Sequence, residues 1–397
     1  MSIAKRMLSI SPSLTLAVSA KAKAMKEAGE NVISFGVGEP NFNTPDHIIA
    51  AGISAMEQGY TKYTPSSGLP ALRKLICEKF RKDNGLDYEP SQIIVSNGAK
   101  HSIFNAVFAL LDEGDEVIIP APYWVTYPEI VKVVGGVPVS VMGDRANGFK
   151  VTAEAIEQAI TPKTKMLILN SPSNPTGAVY SEEEIRAIAA VCEKAGIYVL
   201  SDEIYEKLIY SDVKPFSIAC VSDYMKEHTI VINGVSKTYA MTGWRVGYLA
   251  APKEIAKAID SFQSHATSNA SSISQHATIA ALKGDEAKVK EMVDIFHERR
   301  DKMMEILDAH PILSYVKPDG AFYVMLTVDN CYGKSYHGKR IDGSVAFCDA
   351  LLDAEKVATV PGIAFGDDGC VRLSYALSME DMVEGLQRIC HFVDSLK

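Results

Sequence analysis

Residues 229–248 read TIVINGVSKTYAMTGWRVGY, and this pattern decides how the rest of the chain is read. Two apolar runs, 230–232 and 246–251, flank a polar, glycine-studded turn that carries Lys237 and Arg245. A strand feeding such a turn puts the lysine at a strand end, where α/β folds keep their chemistry. Lysine is long and strongly hydrated, so holding one in a half-buried turn has a cost. Burial or a nearby cation lowers its pKa and frees the amine as a nucleophile for Schiff-base chemistry. Arg245, eight residues on, is a permanently charged fork suited to phosphate. A lone lysine in such a turn would be an ordinary surface residue. This one is not alone.

Gly234, Ser236, Lys237, Ala240, Met241, Gly243, Arg245, Val246 and Gly247 together resemble the lysine signature of class I and II aminotransferases. The resemblance implies that Lys237 binds pyridoxal 5'-phosphate (PLP) covalently. It also implies an α/β architecture, the PLP-dependent transferase fold type I. That fold has a large domain with a mixed, mostly parallel seven-stranded sheet and a smaller α+β domain built from both termini. The expected division is 46–290 for the large domain and 1–45 with 291–397 for the small one.

With 397 residues the chain is long enough for two such cores. A formal charge of −9 argues against a general nucleic-acid binder, which would carry a basic face. Seven scattered cysteines without a C-x-x-C pair suggest reduced thiols, not a disulfide frame or a metal site. The first residues lack the apolar core of a signal peptide, and no apolar run reaches membrane-spanning length. A cytoplasmic protein without a metal or a membrane partner is expected.

Along the chain, 19–29 reads as a helix ended by Gly29, and 32–37 as a strand. The loop GEPNFNTP (38–45) resembles the family's G-E-P-D-F segment, with Asn41 where Asp is commoner. There the resemblance gives Gly38 a backbone contact to the substrate carboxylate. The loop around Tyr63 resembles an element that reaches across a dimer to the neighbouring subunit's PLP phosphate. Strand 93–95 runs through Gly98 into a helix at 101–111. Unpaired N–H groups and the helix dipole bind anions at such a start. In register with the lysine signature, Gly98 and Ala99 become the phosphate cup, with Arg245 opposite.

Trp124 occupies the position where the family stacks a ring on the pyridine and borders the substrate. Residues 131–141 read as a strand with a Gly135-Gly136 turn. Asn-Pro-Thr-Gly follows strand 165–169, and the resemblance assigns Asn174 a hydrogen bond to the phenolic O3' of PLP and a place beside the substrate. A helix with a capping-box start covers 181–196. PLP chemistry needs a carboxylate beside the pyridine nitrogen, and Asp202, leaving strand 197–200, is placed for it. Tyr205 matches the second O3' donor; Glu203 reads as structural. The stretch 264–272 is linker-like, yet its T-S-N core resembles a segment in which Ser268 approaches the partner's site. Strand 371–376 carries one outward arginine, Arg372, which the family uses for the substrate α-carboxylate.

Strands alternate with helices from about residue 93 to 250, as in a doubly wound domain. Within the family the resemblance is closest to the bacterial-type aspartate aminotransferases. It implies transfer of an amino group from L-aspartate to 2-oxoglutarate, by a homodimer with shared active sites. Lys100, at the same helix mouth, is the candidate for the distal carboxylate, with Ser268 from the neighbouring subunit adding a hydrogen bond. Two readings on the same fold stay open: a broader aromatic or prephenate aminotransferase, and a C–S lyase. Ser11 speaks against prephenate, since relatives that accept it tend to carry a lysine there. A transcription-regulator module would need a DNA-binding domain ahead of residue 38, for which there is no room.

Overall fold

Short apolar runs rich in Val, Ile and Leu become the strands of a central sheet in the computed structural model, which describes residues 3–397. The strands are β1 (Ile93–Ser96), β2 (Glu116–Ala121), β3 (Val137–Met142) and β4 (Thr164–Asn170). They continue with β5 (Tyr198–Asp202), β6 (Thr229–Gly234) and β7 (Gly247–Ala250). Their order across the sheet is β1-β7-β6-β5-β4-β2-β3. Only β7 runs antiparallel to its neighbours. The other six strands therefore end along one edge. Asn97, Asn170, Asp202 and the turn carrying Lys237 all leave the sheet there.

Successive side chains of a strand point to opposite faces, and both faces are covered. Ile230 and Ile232 pack with Ile103, Val107 and Ile259, from the helices Ala99–Leu110 and Lys253–Ala266. Val231 packs on the other side with Ile76, Phe80 and Ala277, from Pro70–Asn84 and Ser272–Lys283. Burial of each such aliphatic side chain contributes roughly 1.5–3 kcal/mol.

A second, antiparallel sheet consists of β8 (Ser314–Tyr315), β9 (Tyr323–Thr327), β10 (Val360–Pro361) and β11 (Cys370–Ser374), in the order β10-β11-β9-β8. The segment Ile33–Ser34 joins this region by pairing in parallel with Val357–Ala358. Phe35, Phe296, Phe322, Phe347, Tyr375 and Phe392 form its core. Among the described residues, no helix is long and apolar enough to cross a membrane.

Several expected elements shift. Residues 131–141 are not one strand: a helix, Thr126–Val133, comes first, and β3 begins after Gly136. Buried Tyr127, Ile130 and Val131 recur at helical spacing, and that overrides the β-branched composition of the run. The N-terminal helix starts at Leu14, capped by the Ser13 hydroxyl, five residues before the expected start. The linker-like stretch is non-helical over 267–271, but Lys253–Ala266 runs into its start and Ser272–Lys283 begins at its end.

Candidate active site

A cavity of about 600 Å³ opens over the strand ends, between the two sheets. Gly38, Ala99, Lys100, Trp124, Asn174, Asp202, Tyr205, Lys237, Arg245 and Arg372 line it.

Lys237 lies three residues beyond β6 and is half-buried. Its amine donates to the Gly38 carbonyl at 2.5 Å and lies 5.8 Å from the centre of the Tyr205 ring. Burial pushes its pKa down to about 8; Arg372 and Arg245 add to the fall, while Glu39 and Asp202 oppose it. About a tenth of the amine is therefore unprotonated, and nucleophilic, at pH 7, far more than for an ordinary lysine.

Asp202 ends β5 and is only 3% exposed. It accepts the Tyr127 hydroxyl at 2.8 Å and the Ile204 N–H at 3.2 Å. Burial raises its carboxyl to about 6 against those bonds, and no cation is in ion-pair contact with it among the described residues. Tyr205 meets the Tyr323 hydroxyl at 3.0 Å. Burial, with Tyr323 beside it, holds its phenol well above the ordinary value.

Arg372 is not outward. It is 3% exposed, with Nη1 donating to Asn174 Oδ1 and Nη2 to the Gly36 carbonyl, both at 3.0 Å. The Tyr323 and Phe365 rings flank its guanidinium, and its Nε has no partner. A buried guanidinium without an anion leaves charge uncompensated, and a carboxylate is the group its fork best accepts.

At the other end, Gly98 caps the helix Ala99–Leu110 with φ +90°. Arg245 sits against it, donating to the Asn97 carbonyl at 3.2 Å and the Thr242 carbonyl at 2.9 Å. A Cβ at Gly98 would collide with that guanidinium. Gly247 of the signature is equally constrained, because the Gly98–Ala99 backbone lies against it. Arg245 itself has φ +57°, a left-handed conformation uncommon outside glycine. Lys100 is exposed, with its amine 4.9 Å from the Trp124 ring centre. Desolvation, then Arg245, lowers its pKa.

Tyr63 and Ser268 are not brought to this cavity: Tyr63 is 91% exposed, and Ser268 is an exposed loop residue with φ +62°. Sequence reasoning missed Tyr127, Tyr323 and Asn170. Asn170 holds Asn174 in place by accepting its N–H at 2.9 Å. It also missed that Ser13, Thr15, Leu16 and Ser19 of the N-terminal helix border the mouth. Tyr127 could have been found, since it follows Trp124 by three residues at the start of the helix Thr126–Val133. Nothing local marks Tyr323, which reaches the site from β9.

The chain matches the model of aminotransferase class I and II over residues 30–389. The chain belongs to the class I and II aminotransferases. It is 51% identical to an aspartate aminotransferase of Geobacillus stearothermophilus, with each chain covered completely. The crystal structure of an aspartate aminotransferase from Rhizobium meliloti superposes with a TM-score of 0.96 at 44% identity, covering 100% of both chains. An aspartate aminotransferase from Thermus thermophilus, solved with maleate, gives 0.93 at 42% identity, covering 99% of this chain and 100% of that one.

Proposed function

We propose that this aminotransferase is an aspartate aminotransferase that uses PLP to move the amino group of L-aspartate to 2-oxoglutarate, giving oxaloacetate and L-glutamate. One observation carries the reading. A buried, anion-free Arg372 and a second cation, Lys100, border one cavity with a lysine amine of lowered pKa. A dicarboxylate amino acid answers both cations. The relatives named above are all aspartate aminotransferases, and one was solved with a dicarboxylate.

The donor set fits PLP. Asp202 is a buried acid without a cation, the complement of a protonated pyridine nitrogen. The Gly98 turn with Arg245 is a cradle that a Cβ would fill. Lys237 would anchor it covalently, the helix start at Gly98–Ala99 and Arg245 would hold its phosphate, and Trp124 and Asn174 would border its ring. Bound there, the cofactor supplies an electron sink that makes the amino acid Cα–H acidic.

The chain's own groups do the rest. Arg372 holds the α-carboxylate and so turns the Cα–H bond toward Lys237. The Lys237 amine, with its lowered pKa, would take and return the proton at Cα. Tyr205, whose hydroxyl lies 3.0 Å from that of Tyr323, would donate a hydrogen bond to the cofactor's phenolic oxygen, and Lys100 would read the distal carboxylate.

Beyond the single chain, the reading is a homodimer in which Tyr63 and Ser268 serve the neighbouring subunit's site. In support, Ile49, Ile53, Met56 and Tyr60 leave an apolar stripe exposed beside Tyr63. The domain division 46–290 against 1–45 with 291–397 is supported by the two sheets, which fall wholly on either side of it. Seven free cysteines favour a reducing cytoplasm.

The test is a substrate screen of PLP-loaded protein with 2-oxoglutarate as acceptor. Aspartate is expected to give the highest kcat/KM among aspartate, alanine and phenylalanine. With prephenate as amino acceptor, glutamate-dependent turnover is expected to stay well below that with oxaloacetate. Preference for phenylalanine or prephenate, or release of a thiol from cysteine conjugates, would overturn the assignment.

A further inference from the structure

Behind the cavity wall lies a buried ionic cluster for which the proposed reaction has no use. The chain leaving β5 runs Asp202-Glu203-Ile204-Tyr205-Glu206 and divides its side chains between two sides. Asp202 and Tyr205 face the cavity, while Glu203 and Glu206 turn to the helix Pro70–Asn84. Both glutamates are 7% exposed.

Lys79 of that helix pairs with Glu206 and also donates to Asn84 Oδ1 at 2.7 Å. The Asn84 amide donates to Glu206 Oε2 at 2.7 Å and reaches Glu203 Oε2 at 3.4 Å, so one side chain bridges the two carboxylates. Ser201 and Ser217 donate to Glu203 Oε1 at 2.8 and 2.6 Å. Asn233 Nδ2, buried without a full hydrogen bond, faces Glu206 four residues before Lys237.

A buried ion pair adds little net stability, because desolvation consumes most of the attraction and an apolar pair of similar volume packs as well. Its hydrogen bonds are directional, however, and here they grip the residues that alternate with the catalytic ones. Glu203 and Glu206 have the same spacing as Asp202 and Tyr205, one position out of phase. Holding the first pair fixes where the second pair points.

We propose that Lys79, Glu206 and the bridging Asn84 are positioning residues: they lock the 202–206 segment so that Asp202 and Tyr205 are presented to the cofactor. The inference rests on the PLP reading for its catalytic consequence, and on this protein's own geometry for the locking.

The experiment compares two double substitutions. Lys79→Met with Glu206→Leu replaces the pair by apolar groups, whereas Lys79→Gln with Glu206→Gln keeps hydrogen bonds without charge. Melting temperature and amide hydrogen exchange of residues 198–210 are read without cofactor, then kcat and KM for aspartate with PLP.

The Met/Leu protein is expected to keep its melting temperature yet exchange faster at 202–206. Its kcat is expected to fall roughly 10- to 100-fold at unchanged KM, the scale of a misplaced catalytic group. The Gln/Gln protein is expected to recover both exchange protection and kcat. A Met/Leu protein matching wild type in exchange and kcat would overturn the proposal. Should that variant fail to fold, Asn84→Ala decides: unchanged exchange and kcat contradict the locking role. Wild-type turnover alone tests the PLP reading, and the exchange arm stands without it.

Discussion

At the scale of single residues, two lysines border the cavity, Lys237 half-buried and Lys100 exposed, and each makes a measurable statement. The Lys237 pKa lies at about 8, below its ordinary 10.5. Between those values the unfolded chain binds more protons than the folded one, so this lysine makes stability rise with pH across the interval. Lys237→Met removes the burial cost. The cofactor-free variant is expected to melt higher than wild type at pH 7, with the gain fading between pH 8 and 10.5. A lower melting temperature across the whole range would mean that the amine's bond to Gly38 outweighs its desolvation. Lys100 is the specificity prediction. Lys100→Ala is expected to cut kcat/KM for aspartate about 10- to 150-fold, the worth of a charge-assisted hydrogen bond of about 1.5–3 kcal/mol. Alanine and phenylalanine should be little affected; an equal loss on all three would remove Lys100 as the side-chain reader. Lys237 was legible because its neighbours are local in sequence. Arg372 was legible only in identity: that it is buried depends on Tyr323 and Phe365, which lie 49 and 7 residues before it.

At the scale of elements, the end of the cavity proposed for the phosphate is one strand, one glycine and one helix. The turn works because Gly98 takes φ +90° and leaves room for Arg245. Gly98→Ala both strains that backbone and displaces the guanidinium. Equilibrium dialysis should find PLP binding weakened at least 10-fold, with the fold retained by far-ultraviolet circular dichroism. Unchanged affinity would show that the cradle is not where the phosphate sits. Strand–glycine–helix was readable because each part has its own local signature. The helix Thr126–Val133 was not, because Val131, Val133 and Val134 carry strand propensity while burial of Tyr127, Ile130 and Val131 sets the outcome. Ser272–Lys283 hid for a related reason: its serine-rich start looks like linker, yet Gln275 and Thr278 are wholly buried in it.

At the scale of the whole molecule, the site exists only because residues distant in sequence meet above one sheet edge. A mostly parallel sheet was foreseeable from the alternation of elements and from the family resemblance, whereas the order of its seven strands was not read from the sequence. The placement of the N-terminal helix at the cavity mouth was not, since it follows from pairing of Ile33–Ser34 with Val357–Ala358 across the length of the chain. Dimerisation is the prediction at this scale. In the proposed dimer, Tyr63→Ala and Arg372→Ala would damage different chains of one composite site, so each homodimer should be weakly active. Random mixing should restore about a quarter of wild-type activity, because half the molecules are hybrids with one intact site of two. No recovery on mixing, or full activity in a dilute monomer, would contradict shared sites.

The most direct measurement is borohydride reduction of the PLP-loaded protein, followed by digestion and mass spectrometry. The label is expected on Lys237 alone, and Lys237→Ala is expected to bind PLP without retaining it after reduction. A label on any other lysine, or none on Lys237, would contradict the assignment of this cavity.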